Sequence, residues 1–584
     1  MTVSFLLRWF VLWVGLGFAM RLLFLAYYPE HAAAPGWLGL AFGFLHDFMT
    51  FWLAPALLSI FVLIRTSWMT LGFLVTNAVI LVVTVAEGFF WLEFESRLDR
   101  LVFHYLAYPR EVIVFLEEQF FLSIFLLPFV LVVWLVSWTI GYPDKKKASR
   151  PQALMFLLLG VGLIFVLEPL RPDTLRDSRT AMQFASNGYI GVFRDATYDI
   201  QQLAWQRVFA SDSYQPKQTS TQAEQHKAVT RNKKHVVLVI EESFAGPVWQ
   251  DAASRQNYLP NFVRLSAQGL SFENLYATGA RTTRGMEAIL NGFPPLPGIS
   301  TTERSGYARL PSLPRALGDA GFFSVFLYGG WPGFSNFSNY WQAAGFQKIW
   351  SRHDFDEPFE TSWGVADGAL FDRILREMDQ LTLQKDRVFL STLTVSHHRP
   401  YDFPENVVSW DASARSSAHA MAYADQALAD FVEAARLRPW YADTLFVIVA
   451  DHGLHPRGDQ LIPYQSFRIP LLFLADGLTP QQFLHIGSNI SVPTTVLDLL
   501  DIATEQPFAG DSLLCDCPTI VPMEYGYHVG LLGEERLDVI SRYGERTSWR
   551  KNDGHKVTAP AEAYDRVEAF FGPAHAWYYQ VQSR

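Results

Sequence analysis

Four segments in the second half of the chain carry side chains suited to binding metal ions and phosphate groups. Three of them directly follow apolar, β-branched runs: EES at 241–243, SHHRPY at 396–401 and DHG at 451–453. The fourth, at 279–285, places two adjacent threonines between two arginines. Carboxylate oxygens together with an imidazole suit a borderline divalent ion such as Mn²⁺ or Zn²⁺. The residue types therefore predict a divalent metal site.

The elements around these segments predict an α/β domain with a largely parallel central sheet. Continuous apolar runs are typical of strands buried on both faces, and they cover 235–240, 322–328, 387–395, 444–450 and 469–475. Helical patterns separate them at 260–268, 311–320, 365–380 and 418–436. In such sheets ligands bind beyond the carboxyl ends of the strands. We therefore expect the four segments to meet at that edge.

The first 171 residues differ in composition and predict a transmembrane domain. Half of the 584 residues are hydrophobic and only 18% are charged, and the long apolar runs concentrate before residue 172. About 20 apolar residues span the hydrocarbon layer. This predicts five transmembrane helices, at 5–28, 37–64, 68–92, 120–140 and 153–170.

The rest of the chain divides into a polar linker or interfacial segment at 172–234, the α/β domain at 235–530 and a C-terminal extension at 531–584 of unknown role.

The net charge of −10 argues against a nucleic-acid partner, because neutralising phosphates needs a basic surface. The two cysteines, Cys515 and Cys517, are too few for a disulfide scaffold or a multi-cysteine metal centre.

Basic residues in short loops predict the orientation. Loop 142–150 has four basic residues and one acid, and Arg65 follows the second predicted span, whereas 28–36 has neither Lys nor Arg. The positive-inside rule then puts the N-terminus and both basic loops in the cytoplasm. Five crossings would leave everything after residue 171 outside.

Arg21, Asp47 and Glu87 lie within the predicted spans, where charge is costly unless it is paired or near the headgroups. We expect Arg21 to extend towards the headgroups and Asp47, beside His46, to make a buried polar contact. A transporter would also use such residues, but the spans lack the paired Gly/Pro interruptions typical of transporter binding sites.

Taken together, the four segments resemble the alkaline phosphatase/sulfatase superfamily. The matching stretches are VVLVIEESF at 236–244, GARTTRG at 279–285, SHHRPY at 396–401, VADHG at 449–453 and SFRIPLLF at 466–473. Five spans before an outward-facing α/β domain are similar to the membrane-anchored branch of lipoteichoic acid synthases, phosphoglycerol transferases and phosphoethanolamine transferases. The resemblance implies a multi-pass protein of the bacterial inner (cytoplasmic) membrane, with a sulfatase-like catalytic domain facing the periplasm or the outside.

The resemblance also implies a metal-bound nucleophile. The family's metal ligands correspond here to Glu242, Thr282, Asp451 and His452. The ion would be Mn²⁺, with Zn²⁺ or Mg²⁺ as alternatives. Thr282 follows a basic residue, as the family's nucleophile does, and Thr283 is the alternative. Coordination would lower the pKa of the hydroxyl and hold it in place.

Substrate contacts follow from the same resemblance. His398 would donate a hydrogen bond or proton to the phosphate or leaving oxygen, with His397 as the alternative. Further candidate contacts are Arg281, Arg284, Tyr328 and Trp331. The region 326–336 lacks the arginine that lipoteichoic acid synthases carry there, which leaves the head group open. The chain also lacks the C/S-x-P-S-R motif of formylglycine sulfatases.

The function expected from these features is transfer of phosphoglycerol. Phosphatidylglycerol would be the donor, a phospho-threonine the covalent intermediate and an envelope glycan or glycolipid the acceptor. The alternatives are a phosphoethanolamine transferase acting on lipid A, a metal-dependent phosphodiesterase and a non-catalytic anchored sensor.

Overall fold

The computed structural model describes residues 3–27, 36–94, 97–98, 122–143, 149–167, 230–245, 247–298, 300–304, 306–356, 359–361, 363–399, 401–404, 416–453, 456, 460–515, 520–526, 528–541 and 544–582. The chain divides into a helical unit (1–202 with 458–461) and an α/β unit (203–457 with 462–584). The residues between the third and fourth predicted spans, 93–119, and the linker 172–234 lie largely outside the described residues, as does Cys517. Cys515 is disulfide-bonded.

The described part of the helical unit consists of apolar helices. They are α1 (Val3–Tyr27), α2 (Gly36–Thr50), α3 (Leu53–Ile64), α4 (Met69–Phe94), α5 (Leu122–Ile140) and α6 (Arg150–Leu167). Three helical stretches of the described residues are long and apolar enough to cross a membrane: Ser4–Ala26, Gly39–Ile64 and Thr66–Gly88. Helices α5 and α6 lie where the fourth and fifth spans are predicted, and a total of five remains a prediction.

Arg21, Asp47 and Glu87 of these helices are buried and paired. Arg21 does not extend to the headgroups, which corrects the expectation from sequence: its side chain is only 1% exposed, and its Nη2 lies 2.7 Å from Oδ1 of Asp47. Gly17 makes room for this pair, because a Cβ there would lie 2.9 Å from Oδ2 of Asp47. Glu87 pairs in the same way with Arg97 at 2.7 Å. Pairing satisfies charges that would otherwise be very costly away from water.

The α/β unit is built around an eight-stranded sheet in the order β10-β2-β9-β8-β1-β7-β3-β4. Its strands are β1 (His235–Glu241), β2 (Leu270–Tyr276), β3 (Phe323–Tyr328), β4 (Lys348–Trp350), β7 (Val388–Leu393), β8 (Thr444–Ala450), β9 (Arg468–Leu474) and β10 (Gln481–Ser488). A two-stranded ribbon, β5 (Glu360–Thr361) and β6 (Gly364–Val365), lies between β4 and β7 in the sequence.

The mostly parallel sheet predicted from sequence is confirmed. All five predicted strands are present, and β9 alone runs against its described neighbours β2 and β8. Strand β1 is buried along its whole length between β7 and β8. Strands β2, β4 and β10 were not predicted, because polar residues interrupt β2 and β10, and β4 has only three residues.

Helices flank the sheet and connect its strands. They are α7 (Pro247–Gln250), α8 (Ala252–Tyr258), α9 (Pro260–Ser266), α10 (Thr282–Met286), α11 (Leu313–Asp319), α12 (Phe337–Ala344), α13 (Asp367–Gln384), α14 (Ser417–Arg436) and α15 (Val492–Leu499). The four helical patterns predicted from sequence correspond to α9, α11, α13 and α14.

A second sheet and a long helix follow. Strands β11 (Val521–Tyr525), β12 (His528–Leu532), β13 (Arg536–Ser541), β14 (Arg546–Arg550) and β15 (Lys556–Val557) form an antiparallel meander, and α16 (Ala561–Gln582) packs on it. We call residues 521–582 the C-terminal module. The boundary predicted between 530 and 531 falls inside β12.

Candidate active site

The end of β1 carries Glu242 in a constrained turn. Ser243 has φ +52°, a left-handed conformation that costs a non-glycine residue free energy and is often kept at functional sites. The turn is held on both sides: the backbone N–H of Glu242 donates to Oγ1 of Thr394 at 2.9 Å, and that of Ser243 donates to Oδ1 of Asp451 at 2.8 Å. These bonds fix the Glu242 carboxylate at the carboxyl edge of the sheet.

The end of β8 supplies Asp451 and His452. Oδ1 of Asp451 also accepts the backbone N–H of His452 at 2.7 Å, whereas its buried Oδ2 has no hydrogen-bond donor. Nδ1 of His452 lies 2.6 Å from the carbonyl oxygen of Gly453. A ring whose Nδ1–H is engaged in this way presents Nε2 as the free lone pair, which is the usual arrangement of metal-binding histidines.

Glu242, Asp451 and His452 converge. One potential ligand atom from each lies within 4.8 Å of the others, and Nε2 of His452 is 3.5 Å from both carboxylates. The hydroxyl of Thr282 donates to Oε2 of Glu242 at 3.1 Å. Two carboxylates and one imidazole, with Oδ2 of Asp451 left without a donor, are the donor set expected for a divalent ion. The four ligands predicted from sequence thus lie together, and they fit a metal.

The ionisation of these groups reflects crowded negative charge. Burial and the nearby charge of Glu242 raise the pKa of Asp451 above its usual range. Burial opposes ionisation of Glu242 as well, but hydrogen bonding and charge from His452 outweigh it and lower the pKa of Glu242. Burial would lower the pKa of His452, yet Asp451 and Glu242 raise it to about 9. A bound cation would offset the same negative charge.

Thr282 begins α10, which lies directly against the Asp451 turn. A Cβ on Gly285 would lie 2.5 Å from Cβ of Asp451, so only glycine allows this approach. A π-helical turn, Glu287–Asn291, continues the helix, and such turns are frequent at functional sites. Thr283 is buried, whereas Thr282 is half-buried, so Thr282 is the more accessible hydroxyl.

Asn489 joins the threonine segment to the metal-ligand turn. Its Oδ1 accepts the backbone N–H of Thr278 at 3.1 Å, and its Nδ2 donates to the carbonyl oxygen of Asp451 at 3.3 Å. The side chain is fully buried. Sequence analysis missed Asn489 because it follows β10, a strand that was not predicted.

The two adjacent histidines have different environments. His397 is buried, with Nδ1 3.3 Å from the carbonyl oxygen of Glu242 and Nε2 3.1 Å from Oγ of Ser417, and burial lowers its pKa to about 4. His398 is half-buried. Its ring centroid lies 3.9 Å from that of Trp363, and its Nδ1 lies 3.0 Å from the carbonyl oxygen of Arg399. His398 is therefore the more accessible of the two.

The arginines beside Thr282 also differ. Arg281 is exposed and precedes the first residue of α10. Arg284 is only 4% exposed and lies between the carboxylates of Glu287 at 2.9 Å and Glu524 at 3.2 Å. Its guanidinium thus binds the protein's own carboxylates, contrary to the phosphate contact considered from sequence.

Of the two aromatic candidates, Tyr328 is the last residue of β3 and Trp331 lies three residues beyond it. Tyr328 is buried and packs edge-on against Phe337 and Trp341, and burial together with the charge of Glu242 raises its pKa. Trp331 is half-buried, with its ring 5.2 Å from that of His353. Trp363, which sequence analysis missed, is held by a 2.6 Å hydrogen bond from Nε1 to the carbonyl oxygen of Arg399.

Comparison with known sequences gives matches that each cover somewhat less than half of the chain. Residues 234–502 match the protein family described as Sulfatase. Phosphoglycerol transferase I of Salmonella choleraesuis is 25% identical over 293 residues, covering 47% of this chain and 38% of that protein. Phosphoglycerol transferase I of Salmonella arizonae gives the same values. The chain therefore spans well under half the length of these curated relatives.

Solved structures show the same fold. A protein of the alkaline phosphatase superfamily from Vibrio parahaemolyticus superposes with a TM-score of 0.58 and 26% identity, covering 66% of this chain and 97% of that one. A lipoteichoic acid synthase from Listeria monocytogenes superposes with a TM-score of 0.54 and 17% identity, covering 62% and 96%. The α/β domain is therefore similar in sequence to the Sulfatase family and to phosphoglycerol transferase I, and its fold is that of the alkaline phosphatase superfamily protein and of the lipoteichoic acid synthase.

Proposed function

We propose that this chain is a metal-dependent phosphoglycerol transferase. It would take the head group of phosphatidylglycerol and pass it, through a phospho-threonine, to a hydroxyl of an envelope glycan or glycolipid. The observation that carries the proposal is the Thr282 hydroxyl next to the Glu242–Asp451–His452 cluster. The likeness to phosphoglycerol transferase I over 47% of the chain supports the choice of head group.

In the first step the Thr282 hydroxyl would lose its proton to water, and Oγ1 would attack the phosphorus in line with the diacylglycerol oxygen. The new O–P bond forms as the bond to diacylglycerol breaks, which leaves glycerol phosphate on Thr282. In the second step Thr282 would leave as the alkoxide, ready for the next cycle. Glu242, Asp451 and His452 would hold a divalent ion, for which we propose Mn²⁺. When bound, this ion would lower the pKa of the Thr282 hydroxyl and offset the negative charge of the phosphoryl group. Glu242 orients the hydroxyl through the 3.1 Å hydrogen bond.

His398 provides for proton transfer at the leaving oxygen. When its Nδ1–H donates to the carbonyl oxygen of Arg399, its Nε2 can donate only in the imidazolium form. That proton would go to the departing diacylglycerol oxygen. The neutral ring would then accept the proton of the acceptor hydroxyl in the second step, which returns His398 to its starting state.

Exposed Arg281 is the proposed phosphate contact, and half-buried Trp331 lies at the proposed head-group region.

The apolar helices fit a lipid donor. An active site tethered beside the membrane meets lipid head groups at a high effective concentration. We propose a multi-pass protein of the bacterial inner membrane with its α/β domain outside the cytoplasm, as the basic loops at 65 and 142–150 predict.

The test is head-group release by the purified full chain in liposomes. Vesicles containing phosphatidylglycerol or phosphatidylethanolamine are incubated with Mn²⁺ and an envelope glycan, and diacylglycerol and modified glycan are measured. We expect diacylglycerol from phosphatidylglycerol only, and none from Thr282→Ala. Release from phosphatidylethanolamine alone would favour phosphoethanolamine transfer. Free glycerol phosphate with no modified glycan would favour a phosphodiesterase. If Thr282→Ala behaved like wild type in vivo, a non-catalytic sensor would be favoured.

A further inference from the structure

Arg284, two residues after the proposed nucleophile, is held by four acceptors. Its Nη1 donates to Oε2 of Glu287 at 2.9 Å. Its Nη2 lies 3.2 Å from the Glu524 carboxylate and donates to the carbonyl oxygens of Leu296 at 2.8 Å and Gly298 at 2.6 Å. A buried guanidinium with this many partners is locked in one geometry. The same geometry fixes the helix that begins with Thr282.

Glu524 holds the threonine segment from two sides. Its backbone N–H donates to the carbonyl oxygen of Thr278 at 2.8 Å, just before α10. Its side chain reaches Arg284, within α10, and also accepts the backbone N–H of Gly298 at 3.3 Å. Glu524 lies on β11 and is buried. One residue of the C-terminal module thus contacts the chain on both sides of Thr282.

Helix α16 supports the segment that follows. Ala574 and Tyr578 form an apolar cluster with Phe293, Leu296 and Leu310. The guanidinium of Arg304 lies 5.8 Å from the ring centroid of Tyr578 and donates to the carbonyl oxygen of Pro297 at 2.6 Å. The carbonyls that hold Arg284 therefore belong to a segment that α16 keeps in place.

We propose that Glu524 is a positioning residue for the nucleophile, acting through Arg284, and that this is the role of the C-terminal module. The inference rests on the proposed function of Thr282. Glu524 contacts neither the metal-ligand cluster nor the exposed side of Thr282 in the described contacts. Its loss should therefore slow the reaction of bound substrate without weakening the binding of substrate or metal.

The test compares Glu524→Gln with wild type and with Glu568→Gln, a control in the same module whose ion pair with Arg546 is partly exposed. Glutamine keeps the size and an acceptor oxygen but removes the charge opposite Arg284. We expect kcat to fall about 10–100-fold, as for other residues that hold catalytic groups in place, with KM and bound metal unchanged. Glu568→Gln should match wild type in all three.

A double-mutant cycle tests whether Glu524 acts through Arg284. Arg284→Met alone should lower kcat, and Glu524→Gln with Arg284→Met should be no worse than the more impaired single variant, because groups that act as a unit are non-additive. Independent, additive effects would overturn the inference. So would a wild-type kcat in Glu524→Gln, or a loss explained entirely by KM or by metal content.

Two further measurements separate this inference from the proposed function. The variants are also assayed with bis(p-nitrophenyl) phosphate, an activated diester that needs no lipid recognition. If wild type cleaves this diester but no phospholipid, the proposed function fails while the variants still decide the positioning role. Amide hydrogen exchange of 278–298 should rise in Glu524→Gln and stay unchanged in Glu568→Gln. Equal exchange in both variants would overturn the inference whatever the substrate.

Discussion

The hydroxyl of Thr282 lies 3.1 Å from Oε2 of Glu242, across 40 residues of sequence. This contact favours Thr282 as the proposed nucleophile over its neighbour Thr283, whose side chain is buried. We predict that Thr282→Ala lowers turnover to background and that Thr283→Ala costs far less. Mass spectrometry of wild type quenched during turnover should find the phosphoglycerol group on Thr282. The modified group on Thr283, or full activity of Thr282→Ala, would refute the assignment.

Removing one charged ligand should remove the metal without unfolding the domain. Asp451→Asn keeps an oxygen able to accept the 2.8 Å bond from Ser243 but loses the charge that a divalent ion needs. Changing a residue that hydrogen-bonds to a metal ligand lowers metal affinity about 10–100-fold. We expect the affinity of Asp451→Asn to fall by more than this. Elemental analysis of the purified chain measures this, with Glu433→Gln, a half-exposed surface acid, as control. Equal metal content in both variants would exclude Asp451 as a ligand.

Gly285 is the point at which α10 meets the metal-ligand turn. In Gly285→Ala the new Cβ would lie 2.5 Å from Cβ of Asp451 and 2.6 Å from its carbonyl oxygen. Since backbone atoms must move, we expect loss of both metal affinity and turnover, with lower thermal stability. Gly318→Ala is the control, because no atom lies within 4 Å of a Cβ there. Wild-type kinetics in Gly285→Ala would mean that the helix tolerates displacement.

The sheet and the convergence of Glu242 with the Asp451–His452 turn were predictable because both follow from local sequence. Strands such as β1 and β8 are continuous apolar runs, and parallel strands bring their carboxyl ends to one edge. Once Glu242 and Asp451 were placed after those strands, their proximity followed. Thr282 needed the family resemblance, since a threonine between arginines has no distinctive pattern of its own.

The roles of the long charged side chains were not predictable. Arg284 is separated by 240 residues from Glu524, on a sheet that the sequence did not suggest, and a flexible guanidinium can reach many partners. Arg21 was wrongly expected to extend to the headgroups because its partner Asp47, on the next helix, was not recognised. Sequence patterns predict which face of an element is buried, but not which distant charge lies opposite.

The Arg21–Asp47 pair should matter most when only one partner is removed. Arg21→Leu leaves a buried carboxylate uncompensated, which typically costs about 3–5 kcal/mol. Arg21→Leu combined with Asp47→Leu removes both charges and should recover much of the loss. Thermal unfolding in detergent measures the three variants, with Leu23→Ala at an exposed position of α1 as control. A double variant less stable than Arg21→Leu would show that Asp47 has a separate stabilising role.

Acid should destabilise the α/β unit through its buried histidines. Burial, with a contribution from Arg304, lowers the pKa of His575 in α16 to about 3, from 6.5 in the unfolded chain. Between these values the unfolded state binds a proton that the folded state does not. The contribution of His575 to stability is therefore complete above pH 6.5 and falls as the pH drops, by up to about 1.4 kcal/mol per pH unit.

His575→Phe removes this group, so its unfolding free energy should depend less steeply on pH between pH 6.5 and 4 than that of wild type. His397, whose burial lowers its pKa to about 4, keeps part of the slope in the variant. Urea unfolding of the detergent-solubilised chain at several pH values measures both slopes. If the two slopes were equal, His575 would have to take up its proton in the folded state, and the packing of α16 around it would be looser than the structure shows.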